Sequence, residues 1–113
     1  MVPEMRIIGI TGMPEVGRGD DLTPLIFDAA QAQGTPLEAN DVVVVTQKVV
    51  SKAEGAIVDL REVEPSPLAE EFARQYGRDP RHVEVVLRET RRIVRMDRGI
   101  LIVETKHGFI CAN

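Results

Sequence analysis

The chain has 113 residues, 43% apolar and 28% charged, enough for one small domain with a single core and ordinary for a soluble globular protein. Its formal charge of −4 disfavours nucleic acid or an acidic membrane as a general partner, and the local basic cluster Arg88, Arg91, Arg92, Arg95 is interrupted by Glu89. The single cysteine, Cys111, excludes an internal disulfide, no apolar run approaches the ~20 residues that cross a bilayer, and the first residues lack the basic and apolar regions of a signal peptide, so a cytoplasmic protein is expected.

In chain order, Met5 to Ile10 reads as a first strand. Thr11 to Asp21 follows as the densest glycine stretch, with Gly12, Gly17 and Gly19. Such a loop can wrap a ligand or simply connect elements. From Asp21 the pattern turns helical, with Leu22, Leu25, Ile26 and Ala29 on one face, Asp20 or Asp21 as cap and Gly34 as terminator.

The stretch Asp41 to Gly55 carries the most chemistry. Val42 to Val45 are consecutive β-branched residues between polar ones and read as a strand buried on both faces. The helical turn that follows puts Lys48, Ser51 and Lys52 on one side and Val49, Val50 and Ala53 on the other. Helix-start amides attract anions, and lysines reinforce them, so phosphate is the natural ligand. The Gly-Lys-Ser/Thr phosphate loop is absent, and an amphipathic turn with solvated lysines is the plain alternative.

Ala56 to Leu60 reads as a further short strand, then Pro65 and Pro67 mark a break. Ser66 caps a helix with Leu68, Phe72 and Tyr76 inward, closed by Gly77; Asp79 and Pro80 start another, with Val83, Val86, Leu87 and Thr90 inward. Together they predict a helical hairpin. Strands Ile93 to Met96 and Ile100 to Thr105 flank an Asp97-Arg98-Gly99 turn, and Phe109 to Ala112 forms a last strand after Lys106-His107-Gly108. His82 reads as a solvated helical histidine, His107 as a turn residue, and Cys111 as a buried packing residue. Glu54 and Glu104 stand at the ends of apolar runs, but no carboxylate pair has a spacing that demands a metal. The apolar strand at the C-terminus predicts that its covering lies on another chain or in a longer protein. These patterns alone predict an α/β chain with a candidate anion site.

Taken together, Ile10-Thr-Gly-Met13-Pro14-Glu15-Val16 through Leu22, Asp41 through Gly55, and Glu104 through Asn113 resemble the coenzyme F420-0:γ-glutamyl ligase family. The segment Arg78-Asp79-Pro80 through Thr90 resembles it as well. The likeness runs in order from about Met5 to Asn113, with Asn40 where a glycine is frequent and Arg18 where the family varies.

The resemblance implies an α/β fold with a mixed sheet, short helices and a helical hairpin, assembled as an intertwined homodimer. It implies a GTP-dependent ligase that adds L-glutamate to the deazaflavin coenzyme F420-0 through an acyl phosphate, with Mn2+ or Mg2+ and K+. Carried over by position, Met13, Pro14, Glu15 and Val16 fall on the first GTP-contacting loop; Gln47 and Lys52 fall on the second, with Lys48 as an addition. In the family Cys-Ala-Asn precedes Ala-Gly-Val-Asp, whose Asp ligates metal; His107 and Asn113 adjoin that site. Residues 1–113 are therefore expected to be the N-terminal half of one ligase domain, holding no metal and inactive alone. The rival expectation is a non-catalytic α/β module for dimerisation or assembly.

Overall fold

The computed structural model describes residues 2–113 and divides the chain into two compact units, Met1–Ile57 and Val58–Asn113. Among the described residues it is a mixed α/β chain of four α-helices and a three-stranded antiparallel sheet.

In the first unit, α1 spans Leu22–Ala32 and α2 spans Gln47–Glu54. The Asp21 carboxylate accepts from the Thr23 N–H at 2.9 Å, satisfying an amide that the first turn leaves without a partner. Pro24 falls in that same turn, where its missing N–H costs nothing. The helix buries Ala29 and Ala30 and stops at Gln33, after which Gly34 takes the left-handed conformation with φ +81°. In α2, Val49 and Val50 are half-buried, and Gly55 (φ +70°) closes the helix as Ala56 N–H donates to the Ser51 carbonyl at 2.8 Å.

In the second unit, α3 (Pro67–Tyr76) and α4 (Pro80–Arg88) form the predicted hairpin, followed by β1 (Thr90–Asp97), β2 (Ile100–Thr105) and β3 (Ile110–Ala112). The starts are those expected: Ser66 Oγ accepts from the Ala69 N–H at 3.3 Å, and Asp79 Oδ1 accepts from the Arg81 N–H at 2.9 Å. Sheet order is β1-β2-β3, with Ile93 opposite Val103, Arg95 opposite Ile102 and Val103 opposite Cys111. The turn residues Arg98 and Gly99 have φ of +49° and +79°, the paired positive values that match the twist of a two-residue hairpin. Ala69, Phe72 and Ala73 of α3, Val83 of α4 and Leu101 and Val103 of β2 form the core, with Phe72 and Tyr76 rings 4.9 Å apart.

Several expectations are corrected. Met5 to Ile10, Asp41 to Val45 and Ala56 to Leu60 carry no strand, and Leu60–Glu62 is a single 3-10 turn capped by Asp59. The valine run expected in the interior is open: Val42 and Val44 are 86% and 88% exposed, Val43 and Val45 46% and 37%. That alternation is the period of a pleated segment whose one face is partly sheltered, but no ladder partner pairs with it among the described residues. The sheet expected to be mixed is antiparallel throughout these residues. In α3 the buried stripe is Ala69, Phe72 and Ala73, and Leu68 is exposed, because small alanines let the helix approach its neighbours closely. Thr90 belongs to β1, although its hydroxyl donates to the Val86 carbonyl at 2.7 Å. Cys111 is exposed rather than packed, since β3 is a short strand with a neighbour on one side only.

Candidate functional site

The glycine-rich loop of the first unit is pinned at both ends. At its entrance the Gln33 side chain accepts from the Thr11 N–H at 2.8 Å and from the Thr11 hydroxyl at 3.1 Å, while its amide donates to the Gly9 carbonyl at 3.0 Å. At its exit Gly17 N–H donates to Asp20 Oδ2 at 2.7 Å, and Gly19 N–H donates to the Ala53 carbonyl of α2 at 2.8 Å. Arg18 lies across Gly55 so closely that any Cβ there would meet Arg18 Cδ at 2.7 Å. The left-handed backbone (φ +70°) is what favours glycine at Gly55, since the exposed Arg18 side chain could move aside.

Between these pins the loop's crown sets the Glu15 carboxylate against the Lys52 ammonium in an ion pair. The lysine's hydrogen bond, then its charge, holds the Glu15 carboxyl below the usual carboxylate range. Glu15 and Lys52 are therefore the two expected site residues that the fold joins directly. Met13 is half-buried and Pro14 exposed on the same loop; Val16 is buried, which leaves only its backbone to a ligand.

Gln47 and Lys48 open α2, both exposed, and the Gln47 amide donates to Ser51 Oγ at 2.5 Å. Thr46 makes no side-chain cap bond, so the first-turn amides of Gln47 and Lys48 are left for another acceptor. Lys52, expected beside these amides, lies instead in the last turn. Five residues at 1.5 Å each separate it from Gln47 by about 7.5 Å along the axis. The cationic face is thus a strip along α2, with amides and Lys48 at one end and Lys52 at the other.

In the second unit the arginine cluster is neutralised in place. Glu104 receives Arg92 at 3.0 Å and Arg91 at 3.7 Å, Asp97 receives Arg95 at 3.1 Å, and Glu84 receives Arg88 at 3.3 Å. The Glu84 carboxyl is lowered first by Ser66 and then by Arg88. No three His, Cys, Asp or Glu side chains converge among the described residues. His82 and His107 are exposed.

Sequence patterns missed the residues that hold the loop. Gln33, Arg18 and Asp20 act through side-chain bonds and contacts that follow from no periodicity, and Gln33 reaches 22 to 24 positions back along the chain. Only the glycine density of the loop signalled that its backbone would need unusual conformations.

The first unit carries a glycine-rich loop ion-paired to a lysine-bearing helix, and the second a helical hairpin followed by an antiparallel sheet, which together define a mixed α/β chain. The family model of F420-0:gamma-glutamyl ligase matches residues 11–113, and the chain belongs to this family. It is 45% identical over 109 residues to the coenzyme F420:L-glutamate ligase of Methanothermobacter thermautotrophicus, covering 96% of this chain and 43% of the relative. Its identity to the enzyme of that name from Methanopyrus kandleri is 45% over 112 residues, 99% of this chain and 42% of the relative. The counterpart from Methanocaldococcus jannaschii is 36% identical over 114 residues, with 100% and 45% covered. The chain thus spans less than half the length of these curated relatives. No helix among the described residues is long and apolar enough to cross a membrane.

Proposed function

We propose that this chain provides the first phosphate contacts of a GTP-dependent ligase that adds L-glutamate to a deazaflavin coenzyme F420 precursor. The joining of Glu15 to Lys52 on the α2 strip supports this reading, together with relatives named coenzyme F420:L-glutamate ligase. A carboxylate does not form an amide at neutral pH without activation. Transfer of the GTP γ-phosphoryl group to the acceptor carboxylate gives an acyl phosphate and GDP. The glutamate amine then attacks the acyl carbon, expels phosphate and loses a proton.

In this reading the backbone of Met13, Pro14, Glu15 and Val16 and the side chains of Gln47, Lys48 and Lys52 contact the nucleotide. Lysine charge and helix-start amides offset the charge of the phosphates. Mn2+ or Mg2+, with K+, would neutralise phosphate charge from ligands in the part of the relatives' length that this chain does not span. Residues 1–113 by themselves bind nucleotide weakly and do not turn over. The working assembly is a cytoplasmic homodimer. The exposed apolar side chains of Met5, Ile7, Val42 and Val44 favour such an assembly and are what a purely structural dimerisation module would also present.

Calorimetry of GTP with this chain and with Lys52→Ala tests the assignment. Weak binding that the substitution removes is the expected result. A protein extended to the relatives' length that still ignored GTP would sink it.

A further inference from the structure

The geometry points to Glu15 as a displaceable stand-in for the ligand's anion: it holds Lys52 in the free protein, and a phosphate must evict it to bind. This inference rests on the nucleotide reading and adds to it a residue that sets affinity by competing from within.

Three observations carry it. First, the pair is built rather than incidental. Thr11 is fixed to Gln33, Gly17 to Asp20 and Gly19 to Ala53, so the loop on either side of Glu15 has its position set by other bonds. Second, the partners are unequally covered: the Glu15 side chain is 85% exposed and that of Lys52 44%. Glu15 can swing into water while Lys52 stays against the protein, so exchange needs no rearrangement of the pinned loop. Third, the loop brings one carboxylate to the lysines. Lys48 and Lys52 share the strip, Asp20 is engaged by the Gly17 N–H, and Glu15 is the carboxylate that the loop delivers to it.

An exposed ion pair is formed and broken with comparable populations, so part of the protein already presents a free Lys52. A ligand that requires the open form binds with its intrinsic dissociation constant divided by that fraction, so its affinity is lowered, and removing the competitor restores the difference. Glu15→Gln should therefore bind GTP and inorganic tripolyphosphate about two- to sixfold more tightly than the parent chain. Lys52→Gln should bind both more weakly, and adding Glu15→Gln to it should change nothing further. Glu54→Gln removes the same charge from the exposed end of the same helix and controls for general electrostatics.

Calorimetry on the full chain at fixed ionic strength reads all of these, with thermal melts confirming that each variant folds. A gain in Glu15→Gln that needs Lys52 and exceeds the change in Glu54→Gln establishes the competitor. Unchanged or weaker binding in Glu15→Gln overturns it while leaving the nucleotide site in place. An equal gain in Glu54→Gln overturns it in favour of net charge. Absence of binding to either probe in every variant overturns it along with the nucleotide reading.

Discussion

Arg78 is the residue whose loss should be felt most widely in the second unit. Its half-buried guanidinium donates through Nη1 to the Gly99 carbonyl in the hairpin turn and to the Asn113 carbonyl at 3.3 Å. Nη2 donates to Asn113 Oδ1 at 3.1 Å. One side chain between the two helices thus fastens the β1–β2 turn and the strand end after β3. A hydrogen bond from a charged donor contributes about 1.5–3 kcal/mol when sheltered and less when water can replace it. The Gly99 bond is sheltered and the Asn113 bonds are exposed. Arg78→Met, which keeps the stem and removes the fork, should therefore cost about 2 kcal/mol.

In a unit of this size that loss lowers the melting temperature by roughly 10 °C. Arg78→Lys keeps the charge but cannot span both acceptors, so about half the loss should remain. Tyr76 is the only tyrosine, tryptophan is absent, and its side chain lies against Gly99, where an added Cβ would meet Tyr76 Cβ at 3.2 Å. Urea unfolding followed by tyrosine emission thus reports on the affected turn. An Arg78→Met midpoint equivalent to less than about 0.5 kcal/mol of change would refute the assignment of a fastening role, since surface substitutions stay within that range.

Two other perturbations follow from backbone and charge. Arg98 holds a left-handed conformation (φ +49°) that costs a side chain with a Cβ, and its guanidinium reaches Asp97 only at 4.0 Å. Arg98→Asn should therefore stabilise the hairpin by about 0.5 kcal/mol, read as a higher urea midpoint; a lower midpoint would show that the arginine is needed there. The Asp79 carboxyl is held at about 2, chiefly by the Arg81 guanidinium and then by the Arg81 N–H. Its folded value lies below the unfolded value near 3.9, so the ionised form stabilises the fold fully above about pH 4 and loses that effect as pH falls toward 2. Asp79→Asn keeps a capping oxygen and should flatten the acid limb of melting temperature over that window. An unchanged limb would place the acid sensitivity elsewhere.

The helices were legible because their signals are local. Asp21, Ser66 and Asp79 each accept an amide of their own first turn, Pro67 and Pro80 stand where no donor is lost, and Gly77 takes φ +65° to close α3. A cap needs nothing beyond its own few residues. The hairpin β1–β2 was legible for the same reason, since Arg98 and Gly99 bring their strands together directly. Met5 to Ile10 and Val42 to Val45 have the right residues for strands and lack the ladder, because a strand is completed only by a partner that sequence pattern does not name.

The site divides along the same line. Lys48 and Lys52 could be placed on one helical face from their spacing, and the resemblance added Glu15. What neither gave is the direction of the loop. That direction is set by Gln33 gripping Thr11 and Gly9 at one end and by the Gly19–Ala53 bond at the other, contacts of long sequence separation in which polar groups choose partners individually. The same bonds that hide from a sequence reading turn an exposed glutamate into a partner for Lys52. A loop free to wander would meet that lysine rarely and compete with nothing. Pinned as it is, the loop keeps Glu15 against Lys52, so the charge that the helix presents depends on the loop as much as on the helix itself.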